Sequence, residues 1–302
     1  MDGVLVVDKP SGPTSHDMVD RVRRALGTRR VGHTGTLDPF ATGVLPVCVG
    51  RATRLARFLA AGDKEYVARV RLGFATTTDD LSGEPLSEPL PVDVSPDRLA
   101  AALGRLVGQF DQVPPTFSAR HVGGRRLYEL ARRGQAVPRP ATPVTVHAIE
   151  LRAREGDTLE IEVRCSPGTY VRALARDLGE ALGTGAHLAA LRRTRSGSFD
   201  LSRAVPGDDL SAAVERLLPL SALLPDLPAV RVGVEGTLRV RHGRELGREL
   251  VLDGFPEAPV ERVRVLDESG ALVALAVVKG LGSAVSGLPR VPGLHPDIVL
   301  TD

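Results

Sequence analysis

The sequence predicts an α+β fold followed by a small β-rich C-terminal domain, and three observations carry that expectation. Strand-like and helix-like segments are mixed along the chain without a regular βαβ repeat, which argues against a doubly wound sheet. The 302 residues exceed one typical domain of roughly 100–200 residues. Near Pro225–Pro228 (PDLP) the texture changes to short strand-like segments separated by Gly and Asp. We therefore expect a first domain over 1–227 and a second over 228–302.

Gly3–Asp8 (GVLVVD) is a short apolar run ending in the turn chemistry of KPSGPTS. Thr14 or Ser15 can cap a helix in which Met18, Val19, Val22 and Leu26 recur at helical spacing before Gly27. Val44–Val49 suits a buried strand. Tyr66, Ala68, Val70 and Leu72 alternate with Val67, Arg69 and Arg71, as a half-buried strand does. The acidic, Pro-rich Glu84–Pro96 reads as a loop, and Ser95-Pro96 opens a helix carrying Leu99, Leu103 and Leu106. Alternation returns at Leu159, Ile161, Val163 and Cys165, and a helix is expected from about Tyr170 to Leu182. In the C-terminal part, strands are expected at Val230–Val234, Val260–Leu266, Ala271–Lys279 and Asp297–Leu300, with a hairpin turn at 267–270.

Composition narrows the function classes. Hydrophobic residues at 42% and charged residues at 25% are globular values and exclude a disordered chain. With no Trp and 3% aromatics, the core must come from Leu, Val and Ala. Of 39 basic residues only Lys9, Lys64 and Lys279 are lysine, leaving 36 arginines, yet the net charge is only +2. Arginine suits phosphate, but an Ala-, Gly-, Val- and Pro-rich chain also fits a GC-rich genome, which takes the larger share of the skew. Cys48 and Cys165 form neither a disulfide framework nor a metal knuckle. No apolar run reaches about 18 residues and the N-terminus lacks a signal pattern, so a cytoplasmic protein with no membrane contact is expected.

The most unusual stretch is Arg29–Gly43, RRVGHTGTLDPFATG. Its glycines and small residues leave the backbone open to a ligand, and Asp38 is its sole carboxylate. On its own, Asp38-Pro39 is ordinary Asx-turn chemistry. His16 and His33 lack metal-ligand spacing, and no phosphate loop, dinucleotide fingerprint or G-x-S-x-G elbow occurs. No metal and no cofactor are expected.

GHTGTLDPFATGVLPVCVG resembles the catalytic motif of the TruB family of tRNA pseudouridine synthases. VVDKPSGPTSHDMV is similar to the family's N-terminal motif, KEYVARVRLG to its tyrosine-bearing strand and CSPGTYVRALARDLG to its arginine-bearing motif. PPTFSARHVGGRRLYELARRG resembles the RNA-contacting insertion of the stand-alone bacterial enzymes, which implies an insertion at about 114–142 within the first domain. These segments stand in family order across most of residues 1–200. The resemblance implies a mixed, largely antiparallel sheet with flanking helices and an RNA-contacting insertion, plus a PUA-like RNA-binding domain at the C-terminus. It implies isomerisation of uridine to pseudouridine in the T-loop of tRNA, at the position conventionally numbered 55, with no guide RNA.

By motif position, Asp38 matches the essential aspartate, Arg172 its arginine partner and Tyr66 the tyrosine that stacks on the target base. Such an arginine is expected to lower the carboxylate pKa. His33 matches the histidine that fills the space of the flipped base. Asp80, Leu191, Tyr170 and Lys9 match pocket positions. Arg120, Arg125, Arg126, Arg132 and Arg133 in the insertion are expected to contact phosphate. Arginines of the first helix and its exit (Arg21, Arg23, Arg24, Arg29 and Arg30), Arg192, Arg193 and Arg195, and the C-terminal stretch from Arg239 to Arg248 are further candidates. The resemblance favours a monomer. Two rival readings are a guide-RNA-dependent relative that shares the GH-x-GTLDP core and a non-catalytic tRNA-binding or folding chaperone.

Overall fold

The computed structural model describes residues 1–117, 139–279 and 293–300, with backbone pairing also described at 121–122 and 125–126. Among the described residues the larger sheet has eleven strands. Strand β1 (Gly3–Lys9) is buried on both faces: Leu5 and Val7 enter one core, Val4 and Val6 another. That is why it reads as a continuous apolar run rather than an alternating one.

Helix α1 (Ser15–Ala25) begins with a capping box, in which the Thr14 hydroxyl accepts from Asp17 N and Asp17 accepts from Thr14 N. Its buried face is Met18, Val19 and Val22. Then come β2 (Val31–His33), β3 (Thr42–Val49), the short helix α2 (Ala56–Ala60) and β4 (Lys64–Leu72). Helix α3 (Pro96–Arg105) is capped by Ser95 and buries Leu99, Ala102 and Leu103. Strands β5 (Gly108–Gln112), β6 (Thr142–Glu155) and β7 (Thr158–Cys165) follow. Helix α4 (Val171–Leu182), closed by left-handed Gly183, leads into β8 (Ala186–Ser196).

The main path runs β1–β3–β8–β4–β7–β6–β5. Within this run β3 and β8 pair in parallel, as does the short Val205–Pro206 strand beside β1, and the other neighbours are antiparallel, so the sheet is mixed and largely antiparallel. Helices α1, α3 and α4 supply the core on one face. Because β5 and β6 are antiparallel neighbours, residues 113–141 leave and re-enter the sheet at adjacent strands.

The C-terminal residues form a six-stranded sheet. Its elements are β9 (Ala229–Val232), α5 (Val234–Arg241), β10 (Leu246–Gly247), β11 (Val251–Asp253), β12 (Arg262–Leu266), β13 (Leu272–Lys279) and β14 (Gly293–Val299). The 267–270 turn joins β12 to β13, and Asp267 Oδ1 accepts from Ser269 N and Ala271 N at 2.9 and 3.0 Å. Two expectations are corrected here. Val234 opens a helix rather than ending a strand, and the last strand starts at Gly293 rather than Asp297.

Leu272, Leu275 and Leu300 pack into the same cluster as Val4, Val6, Cys48 and Leu55, so the two sheets share a core. Arg51 seals it, pairing with Asp2 and donating to Leu300 O at 2.7 Å. Asp297 accepts from both Arg57 (3.2 Å) and Arg262 (2.8 Å), whose guanidinium groups flank the Phe58 ring.

Candidate active site

Asp38 lies on the loop between β2 and β3, and that loop is held from beneath by α1 and the turn before it. Lys9 is fully buried at the end of β1, and its Nζ donates to Pro10 O, Pro13 O and Pro39 O at 2.9, 2.6 and 3.0 Å. Burial lowers its pKa to about 8, and the nearby Asp38 carboxylate resists the shift. Gly12 N donates to Pro39 O at 2.8 Å. Ser15 Oγ accepts from Leu37 N (2.8 Å) and donates to Leu37 O (3.1 Å). The KPSGPTS turn is therefore a cradle for the backbone on both sides of Asp38. Ser15, which the sequence offered only as a helix cap, is part of that cradle.

Arg172, at the start of α4, meets Asp38 with two parallel contacts, Nε to Oδ2 at 2.9 Å and Nη2 to Oδ1 at 3.0 Å. This is the bidentate fork geometry suited to a carboxylate. The same guanidinium pairs with buried Asp80 at 3.2 Å and donates to Thr78 O and Phe117 O. Asp80 is in turn held by Thr78 Oγ1 (2.7 Å) and Ser82 N (2.9 Å). Arg172 is 4% exposed, whereas the Asp38 side chain keeps 31% of its surface.

The expected depression of the Asp38 pKa is not what the pocket produces. Burial raises it above the ordinary aspartate value; Arg172 and Lys9 oppose that rise, and the negative charge of Asp80 adds to it. The arginine thus restrains the shift without reversing its sign.

Asp38 and Arg172 line a cavity of about 620 Å³ with Lys64, Tyr66, Tyr170, Leu191 and Arg193. Tyr66 on β4 and Arg193 on β8 are direct cross-strand partners, so their side chains share one face of the sheet. Burial raises the Tyr66 pKa, which keeps its hydroxyl protonated at neutral pH. Leu191 lies two residues before Arg193 on the same strand, and Lys64 two before Tyr66. Tyr170 is placed by an amide clamp: Gln112 Oε1 accepts from Tyr170 N at 2.8 Å, and Gln112 Nε2 donates to Tyr170 O at 3.1 Å. His33 Nδ1 accepts from Gly35 N at 3.2 Å, and burial lowers its pKa, so the ring is neutral.

The structure thus brings together Asp38, Arg172, Asp80, Tyr66, Tyr170, Leu191 and, through the loop, Lys9 and His33. It separates the other arginines. Arg193 is not a surface residue: it is 1% exposed, with Nε donating to Val44 O and Nη2 to Gly35 O. Arg192 pairs with Asp8, and Arg195 with Glu65. Arg23 pairs with Asp20 and Arg21 donates to Gly207 O, leaving Arg24, Arg29 and Arg30 as the exposed members of their group. Arg120, Arg132 and Arg133 lie outside the described residues. Arg125 and Arg126 pair by backbone with His121–Val122.

Comparison with known proteins accounts for this arrangement. Residues 23–171 match the N-terminal domain model of TruB family pseudouridylate synthases, and 172–224 match the tRNA pseudouridylate synthase B C-terminal domain. The chain is 50% identical over 288 residues to "tRNA pseudouridine synthase B" of Ralstonia nicotianae, covering 92% of this chain and 91% of that protein. It is 51% identical over 246 residues to the protein of the same name from Symbiobacterium thermophilum, covering 80% of this chain and 82% of that one. Among solved structures it resembles one described as a Cbf5-Nop10-Gar1 complex, with 28% identity, a TM-score of 0.75 and coverage of 99% of this chain and 85% of that one. It also resembles an H/ACA RNP bound to a substrate RNA containing 2'-deoxyuridine, with 26% identity, a TM-score of 0.72 and the same coverage. The chain belongs to the TruB family of pseudouridylate synthases.

Proposed function

We propose that this protein isomerises uridine to pseudouridine at position 55 in the T-loop of tRNA, without a guide RNA. The observation that carries the reading is the Asp38 carboxylate, gripped by Arg172 at 2.9 and 3.0 Å beside a cavity walled by Tyr66 and Leu191. The target uridine is flipped out of the T-loop at a cost of a few kcal/mol. The neutral His33 ring takes its place in the stack. The base packs on the ring of Tyr66, whose buried hydroxyl stays protonated at neutral pH before the base binds. As the C1'–N1 bond breaks, positive charge develops on the sugar and Asp38 faces it. The freed uracil then turns and rejoins through C5, with the cavity excluding water.

Asp80, Tyr170, Leu191 and Lys9 shape this pocket. Arg120, Arg125, Arg126, Arg132 and Arg133 contact tRNA phosphates. Residues 1–227 act as the catalytic domain and 228–302 as a PUA-like RNA-binding domain, in a cytoplasmic monomer. Independence from a guide is favoured by the 44–51% identity to relatives named for tRNA, against 26–28% to chains of the H/ACA RNP and the Cbf5-Nop10-Gar1 complex. Incubation of the protein with an unmodified tRNA transcript, followed by chemical mapping of pseudouridine, tests the reading. Pseudouridine at position 55 with tRNA as the only RNA is expected. Its formation only on addition of a guide RNA, or not at all, overturns the proposal.

A further inference from the structure

The cavity is electrically divided. On one side Arg172 is matched by two carboxylates, Asp38 and Asp80. On the sheet side stands Arg193, a guanidinium 1% exposed that forms no ion pair with any described residue. Its hydrogen-bond partners are neutral, the carbonyl oxygens of Val44 and Gly35 at 2.7 and 3.2 Å, and its cross-strand neighbour is Tyr66. Lys64, also buried on this wall, is held by Ala60 O and Gly62 O and adds a second positive charge. A buried cation without a counter-charge costs several kcal/mol. Such a cost is tolerated where the charge is used during the reaction.

We propose that the buried Arg193 charge, in the wall of the cavity, stabilises the negative charge on uracil as the base departs. The inference rests on the proposed pseudouridine synthase reading. When the C1'–N1 bond breaks, its electron pair goes to the uracil ring and spreads over N1 and the two carbonyl oxygens. Reattachment forms a C5–C1' bond, C5 loses its proton and N1 gains one, so the reaction needs no co-reactant. The two charges of the broken bond are thereby met from opposite walls: the sugar by Asp38, the base by Arg193. Tyr66 links the two functions, because the residue on whose ring the base packs is also the direct cross-strand neighbour of Arg193. A fixed cation held by neutral carbonyls keeps its field for the departing base, since no carboxylate among the described residues pairs with it.

The test compares Arg193→Gln with the wild type in single-turnover loss of the target nucleotide, using tRNA that carries either uridine or 5-fluorouridine. Fluorine withdraws electrons and makes the base a better leaving group that needs less help. Removing one charge-stabilising donor typically costs about 10²–10³ in rate. That loss is expected with uridine, and one at least about ten-fold smaller with 5-fluorouridine, with tRNA affinity unchanged. Arg193→Lys, which keeps the charge, should recover part of the uridine rate. Should the glutamine variant not fold, Arg193→Lys still draws the charge back on a shorter arm, and its smaller loss with uridine should likewise shrink with 5-fluorouridine. Equal losses on both substrates would reduce Arg193 to a structural tie between Gly35 and Val44 and overturn the proposal. Failure of the wild type to act on tRNA is a separate result and would sink the functional reading instead.

Discussion

The Nζ of Lys9 lies 3.0 Å from the carbonyl oxygen of Pro39, the residue immediately after Asp38. A buried ammonium at the end of β1 thus fixes the catalytic loop to a strand of the central sheet, 30 residues away in sequence. This anchoring makes the position of Asp38 a property of the core rather than of the loop itself.

The Lys9 anchor carries a pH signature. Its pKa is about 8 in the folded protein against about 10.4 in an unfolded chain. Between those values the unfolded chain holds more protons, so the contribution of Lys9 to stability rises as pH increases through the window. Relative to Lys9→Met, the wild type should gain stability between about pH 8 and 10 in denaturant titrations. A difference that stays flat across that range would show that Lys9 titrates normally.

Asp38→Asn should abolish pseudouridine formation while tRNA binding largely survives. Arg172 keeps Asp80, Thr78 O and Phe117 O as partners when the Asp38 charge is removed, so the pocket stays assembled. A rate loss of about 10³ or more is expected in single-turnover assays, with a Kd for tRNA within a few-fold of the wild type. Unchanged turnover would remove Asp38 from the chemistry.

Arg172→Gln leaves Asp38 and Asp80 facing each other across the space the guanidinium filled. Breaking a buried pair costs about 3–5 kcal/mol, because the remaining charges lose their compensation. The wild-type rate should fall toward acid pH as Asp38 is protonated, with an apparent pKa above the usual aspartate value because burial raises it. Losing Arg172 removes the main opposing influence, so the acid limb should move to higher pH. A pH–rate profile of the residual activity checks the direction; a limb displaced to lower pH would contradict it.

Much of the fold was legible because local chemistry and burial agree. The Thr14-Ser15 cap and the Met18–Val22 spacing announce α1, and the alternation from Tyr66 to Leu72 announces β4. Strand β6 was missed because Pro143 stands near its start and its outer half, IELRARE, is charged and exposed. Strand β8 was missed for a different reason: LRRTR was read as a basic surface. Buried arginine is the exception to the usual partition, and only the two-residue step from Leu191 to Arg193 hinted that Arg193 faces the same way as Leu191. The Asp38–Arg172 pair spans 134 residues, and no local pattern encodes it. Motif resemblance brought those two residues together, whereas the roles of Ser15 and Gln112 needed coordinates.

Gly43 shows how tightly the loop is closed on its other side. It stands opposite Arg193 where β3 pairs in parallel with β8, at a φ of +102°. A Cβ there would stand 2.1 Å from the carbonyl oxygen of Arg193 and 2.8 Å from its nitrogen. Both contacts are backbone and cannot rotate away, and the left-handed φ adds strain for any other residue. Gly43→Ala should therefore push β3 from β8 and cost on the order of 2–4 kcal/mol in chemical denaturation. Because the same separation moves Val44 O, which accepts from Arg193 Nε at 2.7 Å, activity should fall further than the lost fraction of folded protein explains. Wild-type stability in this variant would mean that the two strands part without cost, and that their contact does not set the position of Arg193.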